Sequence, residues 1–390
     1  MTAPNPVGQG SRASSQRGVA RSGDTRPGAE VEGGGGAAEA TLSGPSRRWL
    51  AAHPTIAYLL RRFAFYVVTL WGAITAVFFF YRLIPGDPIH QYIYNLQQNH
   101  EVNVSASRAV VSHYEEVFGL TGNLLSQYLH FMYQLIFFRN FGPSLINYPT
   151  PAQDVVAGAL PWTVGLLVIA LAIAWAVSIV LGAVVGLTRG SVFSETLTYL
   201  AMAISHLPFY LLAVVFLFLL SYRLPIFPST YAYGTGVTVG LTPPFILSVL
   251  YHGALPALAI VGVTTLGEML GMRQQMIMVK GEDFLTFATA KGLRPWQILR
   301  RYALPNCWLP QITGLVVSLG FVVGGNVLVE QLFDYPGIGH LFVLAEQNHD
   351  LNTMMAITDL QVFLVLTAVF LLDLALPLLD PRIAYRRSGQ

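Results

Sequence analysis

The sequence predicts an all-α membrane protein with six transmembrane helices. Three observations carry that expectation. Of the 390 residues, 54% are hydrophobic and 11% are charged, whereas soluble domains carry roughly 25% charged residues. Apolar runs recur at the length of about 20 residues that a helix needs to cross the hydrocarbon core. Basic residues alternate between abundant and scarce from one connecting segment to the next, as topology demands of a multi-span chain. The net charge of +2 implies no general affinity for nucleic acid. The single cysteine, Cys307, excludes an intrachain disulfide and a thiolate metal cluster, and reads as a packed small residue.

Taken in order, residues 1–45 are rich in Gly, Ser, Ala, Pro and Arg, including four glycines in a row at 33–36. Such a stretch cannot bury an apolar core, so a disordered tail is expected, and no apolar segment within it resembles a secretory signal. The remainder, 46–383, reads as one transmembrane domain, followed by a short tail, 384–390. The first span is expected at 63–83, ending where Pro85, Gly86 and Pro88 stop the helix. A mainly polar region, 89–160, has apolar pieces too short to cross. It reads as an external segment with short helices, some lying on the membrane surface. Spans two and three are expected at 163–187 and 197–221, the latter containing Pro208. The Pro-, Gly-, Thr- and Tyr-rich section 225–250 reads as an external loop with a re-entrant or interfacial piece. Spans four, five and six follow at 255–278, 310–329 and 355–379. No strong internal repeat is visible.

Charge fixes the orientation. Arg47, Arg48, Arg61, Arg62, Arg189, Arg273, Lys280, Lys291, Arg294, Arg300, Arg301, Arg382, Arg386 and Arg387 fall on the segments assigned inside. The other side holds Arg82, Arg108, Arg139 and Arg223. The positive-inside rule then places both termini in the cytoplasm.

One segment breaks the apolar pattern. Residues 282–305 are polar and basic between two spans, which is costly in lipid, so they form a cytoplasmic loop. The stretches 286–290 and 296–303 are helix-compatible, with Gly292 and Pro295 between them. Two short helices joined by a kink make a part that another protein can grip. The chain has no G-x-x-x-x-G-K-[ST] phosphate loop, no H-E-x-x-H zinc helix and no G-x-S-x-G elbow, so catalytic, metal and cofactor sites are not expected. Ionisable groups within spans remain functional candidates. Glu268 and Arg273 are one helical turn apart and could pair or snorkel. Asp373 reads as an interhelical hydrogen-bonding residue, and so does His206 beside Pro208. Gly314, Gly320, Gly324 and Gly325 mark the fifth span as closely packed or bordering a pathway.

Four segments resemble a known family. Asp283–Leu293 (DFLTFATAKGL) followed by Ala303-Leu304-Pro305-Asn306 is similar to the EAA loop of binding-protein-dependent ABC importer permeases, closest to the dipeptide/oligopeptide subfamily's D-Y-V-R-T-A-R-A-K-G-L. Leu83–Pro88 resembles that family's P-G-D-P after the first span. Phe333–Gly339 (FDYPGIG) resembles its F-x-x-P-G-[LI]-G after the fifth, and Asp380–Ile383 its terminal D-P-R-[IL]. The resemblance covers about 63–383. Thr286 and Phe287 stand where the superfamily has its glutamate and first alanine, Ala288 and Gly292 match, and Thr289 replaces the subfamily's arginine.

The resemblance implies a type I ABC importer permease fold with a cytoplasmic coupling helix, in the cytoplasmic membrane of a prokaryote. The chain would form half of a pathway for peptides, paired with a second homologous permease subunit. Two ABC ATPase subunits, which bind the ATP and Mg, would dock inside, and a solute-binding protein outside. Asp283, Phe284, Phe287, Ala288, Ala290, Lys291, Gly292, Leu293, Arg294, Leu304 and Pro305 would make the ATPase-coupling loop. Phe284, Phe287, Ile298 and Leu299 would be its apolar anchor, with Gly292 as kink and close-approach point. Phe333, Tyr335, Pro336, Gly337 and Gly339 are candidates for an external loop or gate. Alternatives within the class are carriers of nickel or oligosaccharides. From other classes, a membrane anchor or signalling protein that recruits an ATPase, or a self-contained channel or carrier, remains open at this point.

Overall fold

The structure, a computed structural model, describes residues 54–85, 89, 108–321 and 327–379. The tail 1–45, the Gly86-Asp87-Pro88 part of the first motif, Gly324 and Gly325, the Asp380–Ile383 motif and 384–390 lie outside the described residues. The chain divides into Met1–Ala57 and a compact unit beginning at Tyr58. Among the described residues all regular structure is helical: α1 (Pro54–Arg82), α2 (Arg108–Val117), α3 (Leu124–Tyr133), α4 (Ala152–Leu187), α5 (Val192–Ile204), α6 (Phe209–Phe216), α7 (Pro243–Lys280), α8 (Asp283–Ala290), α9 (Pro295–Ile298), α10 (Leu304–Phe321), α11 (Val327–Leu332), α12 (Ile338–Gln347) and α13 (Leu351–Leu379). Short π-helical turns follow α3, α6 and α9.

Four of these helices are long and apolar enough to cross a membrane, and the α5–α6 pair makes a fifth if its 101° bend is one broken span. The third span, expected at 197–221 with Pro208 inside it, is therefore interrupted. The helix stops at Ile204 and restarts after Pro208, because a proline has no N–H for the preceding turn and forces the residue before it out of the helical region. Spans two and four also extend further toward their N-termini than the hydropathy suggests. α4 begins at Ala152, and its polar first turns are helical because Ala152 and Val156 are buried against Ala356 and Ile357 of α13. α7 begins at Pro243, inside the section expected to be loop, since proline suits a helix start. The span expected at 310–329 falls on α10, 322–326 and the start of α11; α10 is not among the helices that meet the length and hydropathy of a crossing, so the described residues give four or five candidate spans where six were expected.

Hydrogen bonds and ion pairs fix the order of the bundle. α1 and α13 run antiparallel, joined near one end by Tyr81 and Thr358 (2.9 Å), in the middle by Tyr66 and Thr367 (2.8 Å), and near the other end by Arg62 and Asp373 (2.6 Å). Asp373 was expected to make a hydrogen bond. It makes an ion pair, which lowers the cost of an acid in an apolar segment. α4 and α7 run parallel. Leu166 and Leu167 pack with Leu255 and Ala259 at one level, and Ile179 and Ala183 with Met272 and Met276 at the other. All these contacts give the bundle two ends. The basic end holds Arg62, Arg189, Lys280 and the α8–α9 connection. The far end holds α2, α3, α11 and α12. At the basic end Lys280 donates to the carbonyl of Leu187 (3.2 Å), satisfying one of the carbonyls orphaned at the end of α4. Of the two readings left open for Arg273, pairing with Glu268 or snorkelling, the structure does not show the pair; Arg273 reaches Glu195 of α5 (3.8 Å) instead.

Far-end connections are held by a buried acid. Asp350 caps α13 through Thr353 N (3.1 Å) and Thr353 Oγ1 (2.7 Å). It also accepts from Ser144 Oγ (2.6 Å), Leu145 N (2.8 Å) and Ile146 N (3.2 Å). α3 and the turn after it leave Leu125, Leu129, Ile136, Phe137 and Phe138 exposed.

Candidate functional site: the basic-end loop and its link to the far end

The loop between α7 and α10 folds as two short helices, α8 and α9. Asp283 lies in the first turn of α8, where a negative charge meets the positive end of the helix dipole. The helix ends on Gly292. Its φ is +72°, a conformation that glycine adopts without a Cβ penalty. Gly292 N–H donates to Thr289 O (2.9 Å) and Leu293 N–H to Ala288 O (3.4 Å), the paired bonds of a Schellman C-cap. α9 then starts at Pro295, and Gln297 Oε1 accepts from Arg294 N–H (3.3 Å), one half of a capping box. So K-G-L-R-P-W-Q is a stop signal followed at once by a start signal.

The site residues divide by side. Leu285 and Ala288 of α8 are buried, as are Leu299, Ala303 and Cys307 beyond α9. Leu285, Leu299, Ala303 and Cys307 form one cluster with Ile179 and Ala183 of α4 and Met272 and Met276 of α7. Asp283, Phe284, Phe287, Ala290, Lys291, Gly292, Arg294 and Pro305 are exposed, while Leu293 and Leu304 are half-buried. Phe287 is 69% exposed and Trp296 66%, an apolar surface that the chain itself leaves bare. The expected anchor is therefore corrected. Phe284 and Phe287 face outward, but Leu299 is core and Ile298 packs against that core. Gly292 meets no atom of this chain where a Cβ would stand. Within the chain its need is conformational, not one of close approach. Cys307 is a buried thiol packed in this cluster.

α4 and α7 carry the loop's position toward the far end. A Cβ on Gly182 would lie 2.6 Å from Met272 Cβ, and one on Gly186 2.7 Å from Met276 Cβ. These glycines, one turn apart, let the two helices touch backbone to side chain. α4 has 36 residues, about 54 Å of rigid rod at 1.5 Å per residue. Near its other end Thr163 Oγ1 donates to Glu330 Oε1 (2.8 Å) and accepts from Ile338 N–H (2.8 Å). Glu330 Oε2 accepts from Gly339 N–H (2.7 Å) and His340 N–H (3.3 Å).

This knot explains the Phe333–Gly339 segment. Phe333 and Tyr335 are each only 2% exposed. Gly337 and Gly339 are also buried, and Pro336 is half-buried. A Cβ on Gly337 would collide with the Glu330 carboxylate and Thr163, and one on Gly339 would stand 2.6 Å from Val327 Cα. The glycines are there for close approach. Burial and the neighbouring Glu330 carboxylate push the Tyr335 hydroxyl up to about 12. Tyr335 also lines an apolar cleft of about 620 Å³ between α4 and α7, with Trp162, Ile169, Phe245 and Leu258 on its walls.

Sequence reasoning missed Glu330, Thr163, and the Gly182 and Gly186 pair. Each had a signal: an acid three residues before the Phe333 motif, and glycines spaced by four in an apolar helix. Of the flagged span residues, His206 is exposed in the turn after α5 and bonds Met202 O of that helix (2.7 Å) rather than another helix. Gly314 has open space where a Cβ would stand.

Comparison with known proteins places these features. Residues 178–385 match the family described as binding-protein-dependent transport system inner membrane component. The chain is 28% identical over 330 residues to the oligopeptide transport system permease protein of Bacillus subtilis (strain 168), covering 84% of this chain and 99% of that protein. It is 27% identical over 334 residues to the dipeptide transport system permease protein of the same strain, covering 85% and 99%. Against the dipeptide transport system permease protein of Escherichia coli (strain K12) it is 26% identical over 347 residues, again covering 85% and 99%.

Proposed function

The chain belongs to the family of binding-protein-dependent transport system inner membrane components, and on that footing we propose that it forms half of the pathway of an ATP-driven importer for peptides. As a permease of this family it works with other ABC components. In the reading offered here these are a second, homologous permease subunit, two ATPase subunits that hold ATP and Mg, and a solute-binding protein. The basic end faces the cytoplasm, in accord with the excess of Arg and Lys there, and both termini lie on that side.

One observation carries the mechanism: α8 is bare on one face and locked into the span ends on the other. Phe284 and Phe287 enter a groove of an ATPase subunit, with Lys291 and Arg294 meeting acidic groups at its rim. When the ATPase dimer closes on ATP, α8 is displaced. Leu285, Leu299 and Ala303 press on Met272, Met276 and Ile179, and a close-packed cluster transmits the displacement rather than absorbing it. α4 and α7 tilt together because the Gly182 and Gly186 contacts leave no room to slide. The same α4 carries Thr163, so the tilt reaches Glu330, Tyr335 and the apolar cleft. Hydrolysis chemistry belongs to the ATPase partners; this chain converts their motion into exposure of the cleft to one side or the other.

The test is peptide uptake by proteoliposomes holding this chain with its gene neighbours. Uptake that depends on ATP inside and stops when the ATPase subunits are omitted is expected. Uptake by this chain alone, unaffected by ATP depletion, overturns the importer reading.

A further inference from the structure

The geometry points to a second ligand site, a zwitterion-binding pocket at the far end formed where α1 meets the α2–α3 connection. It is a cavity of about 160 Å³ walled by Arg82, Glu116, Gln127, Gln134, Asn140 and Asn352 among others. Arg82 is the reason to expect a ligand. Its guanidinium stays charged at any physiological pH. Its Nη2 finds only the carbonyls of Phe118 (3.5 Å) and Gly119 (3.3 Å), and its Nε is buried without a partner. The Phe78 ring lies 5.6 Å from Cζ. Among the described residues no carboxylate pairs with it. A partly desolvated cation with no counter-charge among the described residues is unfavourable, and in this proposal the anionic group of a ligand completes the pocket.

Glu116 narrows the class. It is exposed, lines the same pocket, and makes no ion pair with any described basic residue. The two opposite charges share one cavity without neutralising each other. A ligand carrying both a carboxylate and an ammonium satisfies both, the carboxylate on Arg82 and the ammonium on Glu116. Gln134 and Asn140 also line the pocket; the Asn140 oxygen already accepts from Gly142 N–H (3.0 Å), which leaves its NH2 as a donor. The cavity is far smaller than the apolar cleft between α4 and α7 and suits an amino acid or a very short peptide rather than a long one. A purely structural Arg82, holding the Phe118–Gly119 turn, would need neither Glu116 nor the space. The identity of the ligand as a short peptide rests on the importer reading; the presence of a zwitterion site does not.

The experiment is calorimetric titration of the purified full-length chain in lipid nanodiscs, without any binding protein, using dialanine, its C-terminal amide and its N-acetyl form. Dialanine is expected to bind, and either blocking group to weaken binding about tenfold or more, the loss expected when one charge-assisted contact is removed. Arg82→Gln weakens dialanine to the level of the amide on wild type, and then no longer distinguishes acid from amide. Arg82→Lys, which keeps the charge if the turn needs it, retains part of the discrimination. Equal binding of all three probes, or no dialanine binding by a chain that retains its helical circular dichroism, overturns the proposal. ATP-driven peptide uptake measured on the same assembled preparation reports separately on the importer reading, which stands if uptake persists while dialanine titrations are flat.

Discussion

Gly182 of α4 lies so close to Met272 of α7 that a methyl group on it would stand 2.6 Å from the methionine Cβ. One turn on, Gly186 meets Met276 in the same way. Both methionines also touch the cluster that receives Leu285 of α8. A close helix contact thus lies beside the loop that the spans must follow. Gly182→Leu should force the helices apart, at a cost of about 1–3 kcal/mol or more. A lower melting temperature and the loss of ATP-driven uptake are expected. Gly158→Ala, on the same helix with open space around it, should leave both unchanged.

Gly292 separates conformational from steric demand. Its φ of +72° makes any side chain cost about 1 kcal/mol, but within the chain the space is open. Gly292→Ala should therefore insert normally and keep most uptake. Gly292→Trp should insert as well but abolish ATP-driven uptake, because the ring lifts α8 from its ATPase groove. Wild-type uptake by the tryptophan variant would remove the loop from the mechanism.

Phe287 and Leu285 are two residues apart and face opposite ways. Phe287→Ala should leave the melting temperature of the isolated chain unchanged and weaken association with the ATPase subunits about tenfold or more, as truncation of an interface anchor does. Leu285→Ala should instead destabilise the chain by about 2–5 kcal/mol, as core truncations do. Pull-down affinity and thermal unfolding measured in parallel distinguish the two; a reversed pattern would mean that α8 docks through its other face.

Glu330 accepts from Thr163, Gly339 and His340. Glu330→Ala strands three donors away from water and should cost about 3 kcal/mol or more. Glu330→Gln keeps an acceptor oxygen and should cost less. Gly337→Ala should resemble Glu330→Ala, since its methyl would occupy the carboxylate's place. Thermal unfolding of the three purified variants gives the order.

Much of this architecture is legible along the chain. Hydropathy marks the spans, the alternation of Arg and Lys marks their ends, and K-G-L-R-P-W-Q encodes the break between α8 and α9. The lengths of α4 and α7 are not legible: the first turns of α4 are helical through burial of Ala152 and Val156 against α13, and α7 starts on a proline within a stretch whose composition reads as loop. The bend between α5 and α6 is half legible: Pro208 announces an interruption, but its 101° angle comes from packing. Within the loop, residue types mark a docking element without saying which apolar side chains face outward, since Leu285, Phe287 and Leu299 are equally apolar on paper.

What the sequence by itself determined is therefore the class, an all-helical membrane permease, and the place of its basic loop. Hydropathy and charge are local sums, and a motif read over a dozen residues needs no partner. The tertiary structure alone decided which residues meet. Thr163 and Glu330 are 167 positions apart, and Gly182 finds Met272 only once two spans lie side by side. Such contacts depend on how separate helices pack, and no local property of either segment contains that information.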